Sequence, residues 1–209
     1  MAHGEIRAVA GHRNAGLAGF GVAGLGALGM VVAGLLAAGG AFGRDRAEDV
    51  LAVVTLAELG ATVPCGIAFV AWMYRMRWNG ETITRYAYRH GADHNLYGWY
   101  IPIANLWIPA EIVDDLWEAS TPSEHSDTTL IWSWWVSFVL GNAALGVAFS
   151  LEPLLVAGAG LLRGVAALLG AVLVVKISAL QQAAYAERMR TDPPRLRSYR
   201  RRRRLGGEI

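Results

Sequence analysis

Cysteine occurs once in this chain, at position 65, so an intrachain disulfide and a structural cysteine-type metal site are both excluded. Cys65 follows Pro64 in an apolar segment and reads as a small packing residue. Lysine also occurs once, and the other 18 of the 19 basic residues are arginine, which with abundant Ala and Gly suggests a GC-rich bacterial genome. No Gly-rich phosphate loop precedes a helix, no G-x-S-x-G elbow is present, and no base adjoins Cys65, which disfavours nucleophilic catalysis of the familiar kinds. Charged residues make up 17% of the chain against 54% hydrophobic ones, with mean hydropathy +0.33 and 25 glycines, which describes one small bundle of a polytopic membrane protein rather than a soluble domain.

Residues 14–43 carry no charge and exceed the roughly 20 residues that cross about 30 Å of hydrocarbon. They are also too long for a signal-peptide core. The expected spans are about 17–42, 50–74, 129–150 and 153–180, the second interrupted by Glu58 and bent at Pro64. Ala15, Gly19, Ala23 and Ala27 form a stripe of small residues, and Gly160-x-x-x-Gly164 forms another; both suit close helix packing, within the bundle or against a second copy or a membrane partner. Arg163 lies deep in the last span, with Glu58 as its expected partner, whereas Lys176 can snorkel near an end.

Counting arginines decides whether residues 96–117 make a fifth crossing. With four spans, Arg7, Arg13, Arg75, Arg77, Arg85, Arg89 and nine tail arginines share one side against Arg44 and Arg46 opposite. The expected fold is therefore an all-α integral membrane protein of four transmembrane helices plus one re-entrant or interfacial amphipathic helix over 96–118, in a bacterial cell membrane with both termini cytoplasmic. All eight tryptophans fall between Trp72 and Trp135, hence near one interface, which fits an aromatic belt and also an aromatic-walled pocket. The tail over 191–209, with Arg200 to Arg204, reads as an arm attracted to anionic lipid. No nucleic-acid module is recognisable, and no nucleic-acid partner is expected.

On a helical wheel with Glu111 at zero, Asp114 falls near 300°, Asp115 near 40° and Glu118 near 340°. Four carboxylates thus share one stripe opposite Ile112, Val113, Leu116 and Trp117, with Pro109 in the first turn. Their repulsion calls for compensation, and three readings compete. Water and Arg75, Arg77, Arg85 and Arg89 neutralise the stripe; or crowding raises one carboxyl's pKa for proton transfer; or a divalent cation binds. For the last, Asp114-Asp115-x-x-Glu118 resembles over five residues the acidic motif with which class I terpene synthases hold magnesium diphosphate, although no second metal motif accompanies it. His90, Asp93 and His94 form another polar group, read either as metal ligands or as ordinary surface residues.

Three further segments carry a family resemblance: Trp72-x-Tyr74-Arg75-x-Arg77-x-Asn79, Trp99-Tyr100-Ile101-Pro102-Ile103-Ala104-Asn105-Leu106-Trp107-x-Pro109 and Trp117-x-x-Ser120-x-Pro122. With the Trp134-Trp135 pair, residues 50 to 185 resemble an actinobacterial multi-pass membrane family known as domain of unknown function family 4328. The resemblance implies a multi-helix membrane domain and no activity. It also implies basic residues where this chain has Asp114 and Glu118, while Asp115 agrees with the family's acid.

The leading expectation is a small membrane enzyme, of a specialised-metabolite pathway, acting on an amine-bearing or amphiphilic small-molecule substrate. Asp114, Asp115, Glu118 and Glu111 would do the acid/base or rearrangement chemistry, and Trp99, Tyr100, Asn105, Trp107, Tyr97, Trp135 and Glu58 would bind the substrate. Nitrogen–nitrogen bond formation from an aminoacyl hydroxylamine ester is one concrete form, though no motif ties the chain to it. A cofactor is not indicated beyond a divalent cation. The rivals are a noncatalytic membrane scaffold and, third, a small transporter.

Overall fold

The computed structural model describes residues 8–84, 88–101, 103–121, 126–147 and 152–191. Arg7, Arg85, Pro102, Pro122 and the tail arginines beyond residue 191 lie outside the described residues. Among those described, the chain is all helix: α1 Ala10–Ala38, α2 Arg44–Ile83, the short α3 His94–Tyr97, a 3-10 turn Ala104–Leu106, α4 Ile108–Ser120, α5 Thr128–Val147 and α6 Pro153–Thr191. Four of these, α1, α2, α5 and α6, are long and apolar enough to cross a membrane, and the protein is an all-α multi-pass membrane protein.

Glycine-rich α1 is helical because hydrocarbon offers no other partner for its backbone N–H and C=O groups. Its small residues then let neighbours approach. Gly34 faces the Pro153 carbonyl and Ala157 of α6, and Gly160 of α6 lies against Ala27, Met30 and Val31. The Gly160-x-x-x-Gly164 and Ala23–Ala27 stripes are thus used inside the bundle, with α1 packed between α2 and α6, and α5 packed on α6. Gly19 in turn faces the Cys65 backbone on α2.

Helix α1 starts earlier than expected and stops at Ala38 rather than 42, whereas α2 and α6 run well past the expected ends of their spans. At about 1.5 Å per residue, the 40 residues of α2 and 39 of α6 measure about 60 Å, roughly twice the hydrocarbon thickness. Hydropathy marks where the lipid ends, not where the helix does. Helix α2 also continues through Pro64. Its extension carries Arg77, whose guanidinium donates to the His90 carbonyl at 2.8 Å and stacks 4.1 Å from the Tyr88 ring centre. Arg188 at the end of α6 donates to the last carbonyls of α2, at 2.7 Å for Ile83.

Arg75 lies 3.5 Å from His12, and Lys176 lies 3.6 Å from Asp127. The start of α1, the end of α2, the start of α5 and the end of α6 therefore share one end of the bundle, as four crossings require. Residues 96–118 add no fifth span. Helix α4 has 13 residues, about 20 Å, and docks its apolar face against α2, α5 and α6 at that same end.

Candidate functional site

Helix α4 begins with Pro109 in its first turn and Glu111 beside the positive helix end, then buries Ile112, Val113 and Leu116. Its carboxylates have protein partners. Asp115 is only 1% exposed and accepts the Arg89 backbone N–H at 2.8 Å and the Arg89 side-chain Nε–H at 2.6 Å. The same guanidinium donates to Asp114 and, at 3.3 Å, to the Glu111 carbonyl. Burial works against the charge on Arg89, but hydrogen bonds to and charges on Asp114 and Asp115 outweigh it and raise its pKa.

Glu111 accepts from His90 Nε2 at 2.8 Å, Glu118 accepts the Ser126 backbone N–H at 2.8 Å, and Asp114 accepts the Ser126 hydroxyl. The stripe is a clamp joining α4 to the segments on either side. Among the described residues, the compensating arginine is Arg89, while Arg75 meets His12 and Arg77 pairs with Glu81 at 3.2 Å. His94 donates to exposed Asp93 at 3.2 Å and holds its carboxyl below the ordinary range. The His90 and His94 rings lie 5.4 Å apart, yet among the described residues no three His, Cys, Asp or Glu side chains are grouped to hold a metal ion. The proposed ligand trio of His90, Asp93 and His94 is therefore not assembled, because His90 turns to Glu111.

The family-like aromatic segments build a different feature. Phe69 of α2 touches Phe20, Trp72, Trp99 and Trp134, with ring centres 5.3–6.2 Å apart. Trp135 sits edge-on to Trp99 at 5.5 Å and donates its indole N–H to the Leu106 carbonyl at 2.8 Å, fixing Trp99 and Leu106 against α5. Beneath Trp99 and Tyr100, α2 and α5 frame an apolar lateral groove of about 690 Å³. Its lining on α2 runs from Thr62 to Tyr74, about 18 Å along the axis. Exposed Val63 and Ile67 mark its open side, and Phe138 of α5 its far wall.

Of the substrate-binding residues expected from sequence, Trp99 and Tyr100 line this groove and Trp135 backs it. Among the described lining residues, Tyr97, Asn105 and Trp107 do not appear, nor do the four α4 carboxylates. Tyr97 and Trp107 are exposed elsewhere on the surface.

Glu58 lies one step deeper. A smaller cavity of about 40 Å³ shares Phe20, Thr62, Cys65, Trp134 and Phe138 with the groove and adds Glu58 and Arg163. Glu58 is 1% exposed and Arg163 5%, with Arg163 Nη2 2.7 Å from Glu58 Oε2. Arg163 also donates to Asn142 Oδ1 and Thr62 Oγ1, both at 2.6 Å, and Thr62 donates back to Glu58 Oε1 at 3.1 Å. Gly26, near the middle of α1, faces Glu58, which puts the pair at mid-depth of the bundle. Thr62 and Asn142 escaped the sequence reading, although the signal was there: Thr62 is one helical turn from Glu58, and Asn142 is a polar residue in an uncharged span.

No curated protein and no solved structure matches this chain. A family model described as a domain of unknown function (DUF4328) does match, over residues 36–186, from the end of α1 to the last turns of α6, and the chain belongs to that family.

Proposed function

We propose that this protein binds an apolar or amphiphilic small molecule, taken laterally from a bacterial cell membrane, in the groove between α2 and α5, with both termini on the cytoplasmic side. The observation that carries this reading is the groove itself: about 690 Å³ with an almost wholly apolar wall, opening between two spans that do not pack closely along their length. Pockets of this size with few polar groups suit small ligands. In this reading the carboxylates of α4 position the roof, because Arg89 and His90 tie the segment leading to Trp99 onto α4. Acid/base chemistry by Asp114, Asp115 or Glu118 on a molecule in the groove would require them to leave those partners. The arginine excess on the α4 side supports the cytoplasmic orientation.

Gly66 tests the reading cleanly, since it lines the groove and a Cβ there meets nothing within 4 Å. Titrating detergent-purified protein with a brominated long-chain amphiphile should quench tryptophan fluorescence saturably, because Trp99 and Trp134 line the groove. Gly66→Phe should abolish the saturable component while leaving the fold unchanged. Identical quenching curves for the two proteins would refute the groove as the binding site.

A further inference from the structure

The small cavity that shares five lining residues with the groove is also lined by a charge pair with hydrogen-bonding capacity to spare. Among the described residues, Arg163 Nε–H has no hydrogen-bond acceptor and Glu58 Oε2 accepts no hydrogen bond, although it is ion-paired at 2.7 Å with Arg163 Nη2; both atoms are buried. Leaving such groups unmatched at membrane depth is costly, which favours a ligand that pairs with them. A Cβ at Gly141 would lie 2.8 Å from Arg163 Cγ, and one at Gly26 would lie 3.1 Å from Glu58 Cγ, so glycines on two other spans accommodate the pair. The adjoining 40 Å³ holds a group about the size of a water or a hydroxyl.

We infer that Glu58 and Arg163 form a polar subsite at the deep end of the groove that recognises a neutral hydroxyl carried by a long apolar molecule. The inference rests on the groove being a binding site and names the class of its ligand. The pair is neutral overall, so a charged ligand group would leave net charge in hydrocarbon, whereas a hydroxyl adds none. A hydroxyl can also accept from Arg163 Nε–H and donate to Glu58 Oε2, giving each atom a hydrogen-bond partner. An ether accepts but cannot donate, and an alkane does neither.

The test compares tetradecan-1-ol, its methyl ether and tetradecanoate in competition with the brominated probe, on wild-type protein and on Glu58→Leu/Arg163→Met. Removing both charges together leaves no orphaned ion, so the double variant should fold, which its circular dichroism and elution volume will verify. Wild type should prefer the alcohol over the ether by about tenfold, the worth of one buried hydrogen bond. It should reject the carboxylate. The double variant should bind alcohol and ether alike, with ether affinity within threefold of wild type. Equal binding of alcohol and ether by wild type would overturn the subsite while leaving the groove reading intact, and so would a preference that survives in the double variant. If neither the probe nor the ether binds wild type, the groove reading fails and the subsite with it.

Discussion

Replacing Arg89 with Met asks whether the acidic helix is held by its charges. Arg89 supplies Asp115 with a 2.6 Å side-chain hydrogen bond and also donates to Asp114. Breaking a buried ion pair by deleting one partner costs about 3–5 kcal/mol when both groups are dry. Asp115 is dry at 1% exposure, but the Arg89 side chain is 44% exposed, so water already screens part of the attraction. The Arg89 backbone N–H also remains on Asp115 after the substitution. About 2–3 kcal/mol is then expected, expressed as local opening of α4, whose contacts to α2, α5 and α6 are few beside those of the spans. In hydrogen exchange on detergent-solubilised protein, amides of residues 110–119 should exchange about 30- to 140-fold faster in Arg89→Met. Amides in the middle of α6 should not change. Adding Asp115→Leu should recover most of the protection, since it removes the orphaned carboxylate. Exchange in α4 within threefold of wild type would refute the clamp and return the carboxylates to the pool of free functional groups.

Four other outcomes follow from the same contacts. Gly160→Ala should destabilise the bundle by about 1–3 kcal/mol in unfolding titrations, because its Cβ would lie 2.7 Å from the Ala27 carbonyl, whereas Gly158→Ala, which meets open space, should be neutral or mildly stabilising. Trp72→Phe should cost about 1–3 kcal/mol by leaving the buried Ser178 hydroxyl without its indole donor at 3.0 Å, and Ser178→Ala in that background should restore part of it. Arg163→Met alone should cost about 3–5 kcal/mol and lower the thermal midpoint markedly, because it strands Glu58 at mid-depth, while the double change with Glu58→Leu should fold normally. Arg44→Met should leave stability within about 0.5 kcal/mol in the same titrations, since the pair with Glu48 is open to water on both sides.

Much of the architecture is legible in the chain because membrane burial is a strong, local constraint. Uncharged runs locate the spans, and the arginine count settles the number of crossings without any tertiary information. Helix ends were less legible. Polar residues such as Arg77 and Glu81 sit in helices as readily as apolar ones, so hydropathy stops short of where α2 does. The amphipathic wheel of α4 separates its apolar face from its acidic one but leaves open whether lipid or the bundle covers the apolar side, and the structure puts it against α2, α5 and α6. It could not tell that Asp115, near the edge of that stripe, is buried, nor that Arg89 rather than Arg75 or Arg77 faces it, because that pairing depends on how the 88–101 segment folds back. The groove was the least legible feature. Its walls come from α1, α2, the Trp99 segment and α5, and no single window of sequence holds more than part of it. Glu58 and Arg163 stood out individually as charges in apolar spans, and adjacency of α2 and α6 was all their pairing required.

The most direct measurement is a structure of the full chain in lipid nanodiscs, examined for density between α2 and α5. The account predicts elongated density under Trp99 and Tyr100 that continues past Phe138 and ends against Arg163 Nε, and its loss in Gly66→Phe. A closed α2–α5 seam, or lipid density confined to the outer faces of Val63 and Ile67, would contradict it.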